Sequence, residues 1–169
     1  MEAVLSKDAS IISNADKVIF PGVGQAQSAM LQIRKAGLEK VIPSLKQPVL
    51  GICLGMQLMC SYSEEGNTDC LNIFPLEVKK FKHDLKIPHI GWNQLSGIDS
   101  PIFDNLSANP FMYFVHSYFI EKSDYTIATC DYKFPFSAAL QKDNFYACQF
   151  HPEKSSSDGE RILRNFLDL

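Results

Sequence analysis

Along the first third of the chain, short apolar runs alternate with helical patterns. Lys17-Val18-Ile19-Phe20 is β-branched and apolar and is halted by Pro21-Gly22, which predicts a short buried strand. From Gln25 onward Met30, Leu31 and Ile33 recur at helical spacing, with Arg34 and Lys35 beside them and Gly37 ending the run. Gln47-Pro48-Val49-Leu50-Gly51-Ile52 predicts a second buried strand, and residues 54–62, LGMQLMCSY, a helix. Strand and helix in alternation imply right-handed crossovers and a parallel sheet.

The style changes after Glu64-Glu65-Gly66. FMYFVHSYF (111–119), YTIATC (125–130), FSAAL (136–140) and FYACQF (145–150) are strand-like and are separated by short polar or proline-bearing turns. The last stretch opens on Ser155-Ser156-Ser157 and sets Ile162, Leu163, Phe166 and Leu167 on one helical stripe. With no repeat, low-complexity tract or linker, the pattern predicts one α/β domain over residues 1–169, with a further layer of mixed or antiparallel strands inserted.

Composition narrows the function classes. The 169 residues are 46% hydrophobic and 21% charged, with a net charge of −3, so no basic surface argues for nucleic acid. No apolar run is long enough to span a bilayer, and Met1-Glu2-Ala3 does not open a signal peptide. The five cysteines, at 53, 60, 70, 130 and 148, include no CxxC pair and leave one over if paired, which predicts free thiols in a reducing cytoplasm. Histidines 83, 89, 116 and 151 show no ligand spacing with the cysteines, so no metal site is expected.

The candidate chemistry begins at Gly51-Ile52-Cys53-Leu54-Gly55. A lone cysteine is more often core than nucleophile. Here, however, glycines flank it two residues away on either side of a predicted strand-to-helix junction, the pattern of a nucleophile elbow. Small residues there let strand and helix approach, and the first N–H groups of the helix favour thiolate. The Leu54 N–H is placed to donate to an oxyanion. A second motif, Phe150-His151-Pro152-Glu153, sets a histidine and a carboxylate two residues apart in extended chain. Both side chains then project to the same side, so Glu153 can orient His151 and steady its cation. The third, Gly22-Val23-Gly24, follows a strand and opens a helix. Gln27 stands where a dinucleotide fingerprint needs its third glycine, which excludes nucleotide binding and leaves backbone donors beside the elbow.

Taken together, GICLGMQ, PGVG, KIPHIGWN, FVHSYF and FHPEKS resemble the class I glutamine amidotransferases, from about residue 16 to the end of the chain. Met56, where most members have histidine, and the KIPHIGWN and PEKS segments are similar to the branch formed by the glutaminase subunits of imidazole glycerol phosphate synthase. The resemblance implies a three-layer, flavodoxin-like α/β fold with a mostly parallel central sheet and an additional strand layer. It further implies a catalytic triad of Cys53, His151 and Glu153, and an oxyanion hole from the backbone of Val23 or Gly24 with Leu54. Gln57 and the backbone around Ser117, Tyr118 and Phe119 would hold L-glutamine, while Pro88, Trp92, Asn93 and Lys154 would face a cyclase subunit in a heterodimer. His89 and His116 are read as structural or interfacial, and Cys60 as core.

The implied activity is hydrolysis of glutamine through a cysteine thioester, without a cofactor, with ammonia passed to the cyclase in histidine biosynthesis. Ammonia released to neutral water becomes ammonium, which is no nucleophile, so a dry interface has a chemical motive. The alternatives are an amidotransferase feeding another synthase, such as one making an amino sugar, and a catalytically idle partner-binding module. Two departures stand out. The family's first strand and helix have no counterpart, Met1–Ser6 corresponding to its second strand, and Cys70-Leu71-Asn72-Ile73-Phe74 replaces a glycine-leucine-glycine segment.

Overall fold

The computed structural model describes residues 3–169. Residues 3–8 have no regular structure, so the strand expected there is not found over the described part, Met1 and Glu2 lying outside it. A one-and-a-half-turn helix, α1 (Ala9–Asn14), follows, capped by the Asp8 carboxylate, which accepts from the Ser10 and Ile11 N–H groups at 2.7 and 3.2 Å. Strand β1 (Val18–Gly22), helix α2 (Ala26–Lys35), the short α3 (Val41–Ser44), strand β2 (Val49–Cys53) and helix α4 (Leu54–Leu58) complete the alternating third. Next come β3 (Tyr62–Ser63), β4 (Thr68–Asp69), β5 (Glu77–Lys80), β6 (His89–Ser96), β7 (Phe111–His116), β8 (Tyr118–Ile120), β9 (Thr126–Tyr132), β10 (Phe134–Lys142), β11 (Phe145–Cys148) and the closing α5 (Ser156–Asp168).

Seven strands form the main sheet in the order β1-β2-β11-β10-β9-β6-β7, and four form a second, β4-β3-β5-β8. The expected mostly parallel sheet is parallel only across β1, β2 and β11; the pairs from β11 to β7 are antiparallel. Buried strands read alike in either sense, so the apolar runs did not reveal the direction. Antiparallel pairing follows from the connections, since only Asp143 and Asn144 separate β10 from β11, too few for a crossover. The expected strand over 111–119 divides at Ser117, β7 entering the main sheet and β8 the second.

The expected helix over 54–62 stops at Leu58. The carbonyls that would continue it are taken by the following loop: Leu71 N–H donates to Leu58, Ile73 and Phe74 N–H to Met59, and Asn72 N–H to Cys60, all at 2.8–3.0 Å. Asn72 turns that loop with φ +52°, a conformation glycine or asparagine adopts with least strain, so the loop forms without the family's glycines.

Alternation along the central strands divides the core in two. Val49, Phe145 and Ala147 join Met30, Met56 and Leu58 of α2 and α4, whereas Leu50, Ile52, Tyr146 and Cys148 join Ile162 and Phe166 of α5. The parallel register matters most for function. Gly22 lies beside Cys53 and Ile52 beside Cys148, so the carboxyl ends of β1, β2 and β11 deliver the glycine loop, the elbow and the His151 segment to one edge of the sheet.

Candidate active site

Cys53 is the last residue of β2 and the cap of α4, with φ +53° and ψ −109°, a backbone state rare for a side chain larger than hydrogen. Its neighbours are glycine for steric reasons. A Cβ on Gly55 would overlap the Phe20 carbonyl oxygen, and one on Gly51 would sit 2.9 Å from Met59 Sδ and 3.0 Å from the Met56 nitrogen. Gly22 is equally tight, 2.8 Å from the Gly55 nitrogen. The three glycines therefore let β1, β2 and α4 meet closely enough to turn the thiol outward.

Burial pushes the Cys53 thiol up to about 11, against the lowering pull of the Leu54 N–H. The thiolate expected from the helix terminus alone is thus outweighed by desolvation, α4 being only five residues long. Ionisation of Cys53 needs a base within the site. His151 is buried, and its Nδ1 lies 2.8 Å from Glu153 Oε1, so the imidazole is oriented by a carboxylate that remains half exposed. Four further bonds clamp this turn. His151 N–H donates to the Tyr113 carbonyl of β7 at 2.9 Å, Lys154 N–H to the His151 carbonyl at 3.0 Å, and the Ser155 hydroxyl to that same carbonyl while accepting from Tyr113 N–H at 3.0 Å.

Cys53 and His151 open onto one cleft of about 400 Å³. Gly22, Val23, Gly24, Leu54, Gln57, Ser117 and Tyr118 line it, as do Pro88 and Lys154. Gly24 sits at φ +98° and Val23 is 86% exposed, so the loop is held by few contacts. Of the residues expected around the substrate, Phe119 is not in the lining: its ring is buried and stacks on Phe81 with centroids 4.7 Å apart. Trp92 is half exposed on β6, edge-on to Tyr113, and Asn93 beside it donates to the Asp131 carbonyl at 2.9 Å.

Glu65 was not anticipated. It lines the cleft, and its Oε2 accepts from the Ala26 N–H at the start of α2 at 2.8 Å. The sequence offers only an acidic turn there; the 39-position separation of the partners hides the contact. His116 also reaches the cleft, in a fixed neutral form. The Tyr118 carbonyl can only accept, so His116 Nδ1, 2.7 Å away, donates to it, and His116 Nε2 then accepts from His89 Nδ1 at 3.0 Å. Desolvation holds His116 down at about 3 and His89 at about 4. The two buried imidazoles are thus bonded to one another and to the Tyr118 carbonyl. Among the described residues no group of three His, Cys, Asp or Glu side chains is arranged to hold a metal ion, and no helix is long and apolar enough to cross a membrane.

The family model for "Glutamine amidotransferase class-I" matches residues 3–169. The chain belongs to the class I glutamine amidotransferases. This amidotransferase is 56% identical over 172 aligned positions to imidazole glycerol phosphate synthase subunit HisH of Bacteroides fragilis strain YCH46, spanning 100% of the chain and 88% of that protein. The protein of the same name from Colwellia psychrerythraea strain 34H is 47% identical over 99% of the chain and 82% of its own length. Among solved structures, a glutamine amidotransferase superposes with a TM-score of 0.75 at 16% identity, covering 99% of this chain and 86% of that one. Another, from Thermotoga maritima, gives 0.60 at 18% identity, covering 90% and 63%. At these identities the two structures show a shared fold.

Proposed function

We propose that this amidotransferase is the glutaminase subunit of an imidazole glycerol phosphate synthase. It hydrolyses L-glutamine to glutamate and ammonia, and a cyclase subunit consumes the ammonia in histidine biosynthesis. The observation that carries the chemistry is Cys53 at its strained turn opening onto the same cleft as His151, whose Nδ1 is already engaged by Glu153. The name borne by the relatives at 47% and 56% identity supports the choice of synthase over an amino-sugar enzyme.

In this mechanism Nε2 of His151 takes the Cys53 proton, and the thiolate attacks the side-chain amide carbon of glutamine. The new C–S bond places an oxyanion near the Leu54 N–H, with a second donor from the Val23–Gly24 backbone. As the C–N bond breaks, His151 returns the proton to the leaving nitrogen and ammonia departs. Water, deprotonated by the same imidazole, then opens the thioester and regenerates the thiol. Glu65 is the one carboxylate in the lining among the described residues, and it offers the substrate ammonium a partner; Gln57, Ser117 and Tyr118 supply amide and backbone groups. Pro88, Trp92, Asn93 and Lys154 form the face offered to the cyclase. The test is glutamate release by the wild type and by Cys53→Ser in the presence of a cyclase subunit: turnover by the first and none by the second is expected, and turnover by both overturns the reading.

A further inference from the structure

Gln149 is completely buried between β11 and the His151 turn, yet it carries a primary amide. Its backbone N–H is spent on the Ala138 carbonyl at 2.8 Å, so the fold does not need the side chain to satisfy the strand. The amide bridges two residues of the site instead. Gln57 Nε2 donates to Gln149 Oε1 at 2.8 Å, and Gln149 Nε2 lies 3.7 Å from Cys53 Sγ.

The polarity of this chain is set from one end. The Tyr118 carbonyl can only accept, and it receives both His116 Nδ1 at 2.7 Å and Gln57 Nε2 at 3.4 Å. The Gln57 amide must therefore turn its nitrogen toward Tyr118 and Gln149. Gln149 must in turn present its oxygen to Gln57, which leaves its N–H groups for the sulfur. A neutral thiol is a weak acceptor, and its proton is directed elsewhere, toward the Val115 carbonyl at 3.9 Å. A thiolate is a strong acceptor, and hydrogen bonds to a charged partner are about twice as strong as neutral ones.

We infer that Gln149 is a thiolate-stabilising donor of this active site, its N–H held on Cys53 Sγ by the Gln57–Tyr118 chain. The step it assists is transfer of the Sγ proton to His151 Nε2, leaving the electron pair on sulfur. The Leu54 N–H and the Gln149 N–H then hold the anion from two directions, offsetting the burial that otherwise keeps the thiol protonated. The inference rests on Cys53 being the nucleophile and adds a group outside the triad.

The experiment follows alkylation of Cys53 by iodoacetamide against pH, read by mass spectrometry on the Cys53 peptide. Gln149→Met, of similar length without a donor, is expected to raise the apparent pKa of Cys53 by about one unit and so to slow its labelling at pH 7 about tenfold. Turnover should fall with little change in the KM for glutamine. Gln149→Glu, which keeps the shape and the acceptor for Gln57, should shift the midpoint further. An unchanged midpoint in a variant that keeps the wild-type circular dichroism overturns the inference. A measurement on the wild type does not depend on either variant folding: with 15N-labelled glutamine, the Gln149 side-chain N–H resonance should move as Cys53 titrates. A resonance that stays still overturns the inference as well. If Cys53 resists labelling at every pH, the nucleophile assignment fails and Gln149 loses its role with it.

Discussion

The Ser155 hydroxyl donates to the carbonyl of His151 at 2.6 Å, four residues earlier in the chain, and this bond closes the turn that aims the imidazole. Ser155 is almost fully buried and also accepts from the Tyr113 N–H, so one hydroxyl ties the His151-Pro152-Glu153 turn to β7. Replacing it by alanine leaves the Tyr113 N–H without its acceptor, while the His151 carbonyl keeps only the Lys154 N–H as a donor. Ser155→Ala is expected to lower stability by about 1–3 kcal/mol and to reduce kcat more than it raises KM. Urea unfolding and glutamate-release kinetics measure the two effects; a variant as stable and as active as the wild type would show the clamp to be idle.

Glu153→Gln keeps a hydrogen-bonding group against His151 Nδ1 but removes the charge that steadies the imidazolium and allows the amide to enforce the wrong tautomer. A loss of turnover of about a hundredfold or more is expected, with the fold intact by circular dichroism. Wild-type activity would remove Glu153 from the triad.

The glycines of the elbow and of the adjacent loop should respond differently to one added methyl group. On Gly55 a Cβ meets the Phe20 backbone, which has no room to retreat, whereas on Gly24 it meets nothing within 4 Å. Gly55→Ala is therefore expected to lose several kcal/mol of stability or to fail to fold. Gly24→Ala should lose only about 1–2 kcal/mol, from its φ of +98°. Thermal melts that rank the two in the opposite order would contradict the packing argument.

Much of this arrangement is legible in the sequence because it is local. The Gly51–Gly55 pattern, the His151–Glu153 pair and the Gly22–Gly24 loop each lie within five residues, and each follows an apolar run that reads as a strand. What escaped was made by the fold. Gln149 meets Cys53 across 96 residues and Gln57 across 92, and nothing near Gln149 distinguishes it from any glutamine at a strand end. Glu65 likewise becomes part of the cleft only because α2 starts beside it. The shortened α4 has the same origin. Its apolar sequence favours continuing, but residues 71–74 compete for its last carbonyls and win. The raised thiol pKa was misjudged because helix-terminal N–H groups can be read from a motif, whereas burial cannot.

The buried histidine pair predicts acid sensitivity. Both imidazoles are neutral in the folded protein, with pKa values of about 4 for His89 and about 3 for His116, below the ordinary 6.5. As pH falls through 6.5 the unfolded chain binds protons that the folded chain refuses, so stability present at neutral pH is lost progressively toward pH 4. The loss is of the order of a few kcal/mol, and His83 and His151 are the nearby charges that add to it. Urea unfolding from pH 7.5 to 4.5 should show this slope, and His116→Phe should flatten it. A wild-type stability constant between pH 6.5 and 4.5 would mean that the pair accepts protons while folded.

The oxyanion hole predicts dependence on the partner. In the proposed mechanism Leu54, the first residue of α4, supplies one N–H. In that mechanism the second donor comes from the loop over Gly22–Gly24, where Val23 is almost wholly exposed and a Cβ added to Gly24 would meet nothing within 4 Å. A loop with so few contacts samples several backbone states, and only those aiming an N–H into the cleft serve the transition state. Pro88 and Lys154 line the same cleft as this loop, so a subunit seated on them can restrict it. One aligned donor is worth about 3 kcal/mol in such a transition state, or on the order of a hundredfold in rate. Alone, the chain is expected to release glutamate slowly, and a cyclase subunit carrying its nucleotide ligand should raise kcat by about that factor. Val23→Pro removes the N–H of that position; if Val23 is the donor, the variant should keep the slow basal rate and lose the activation. Equal rates with and without the partner would identify an autonomous glutaminase whose hole is complete before any subunit arrives.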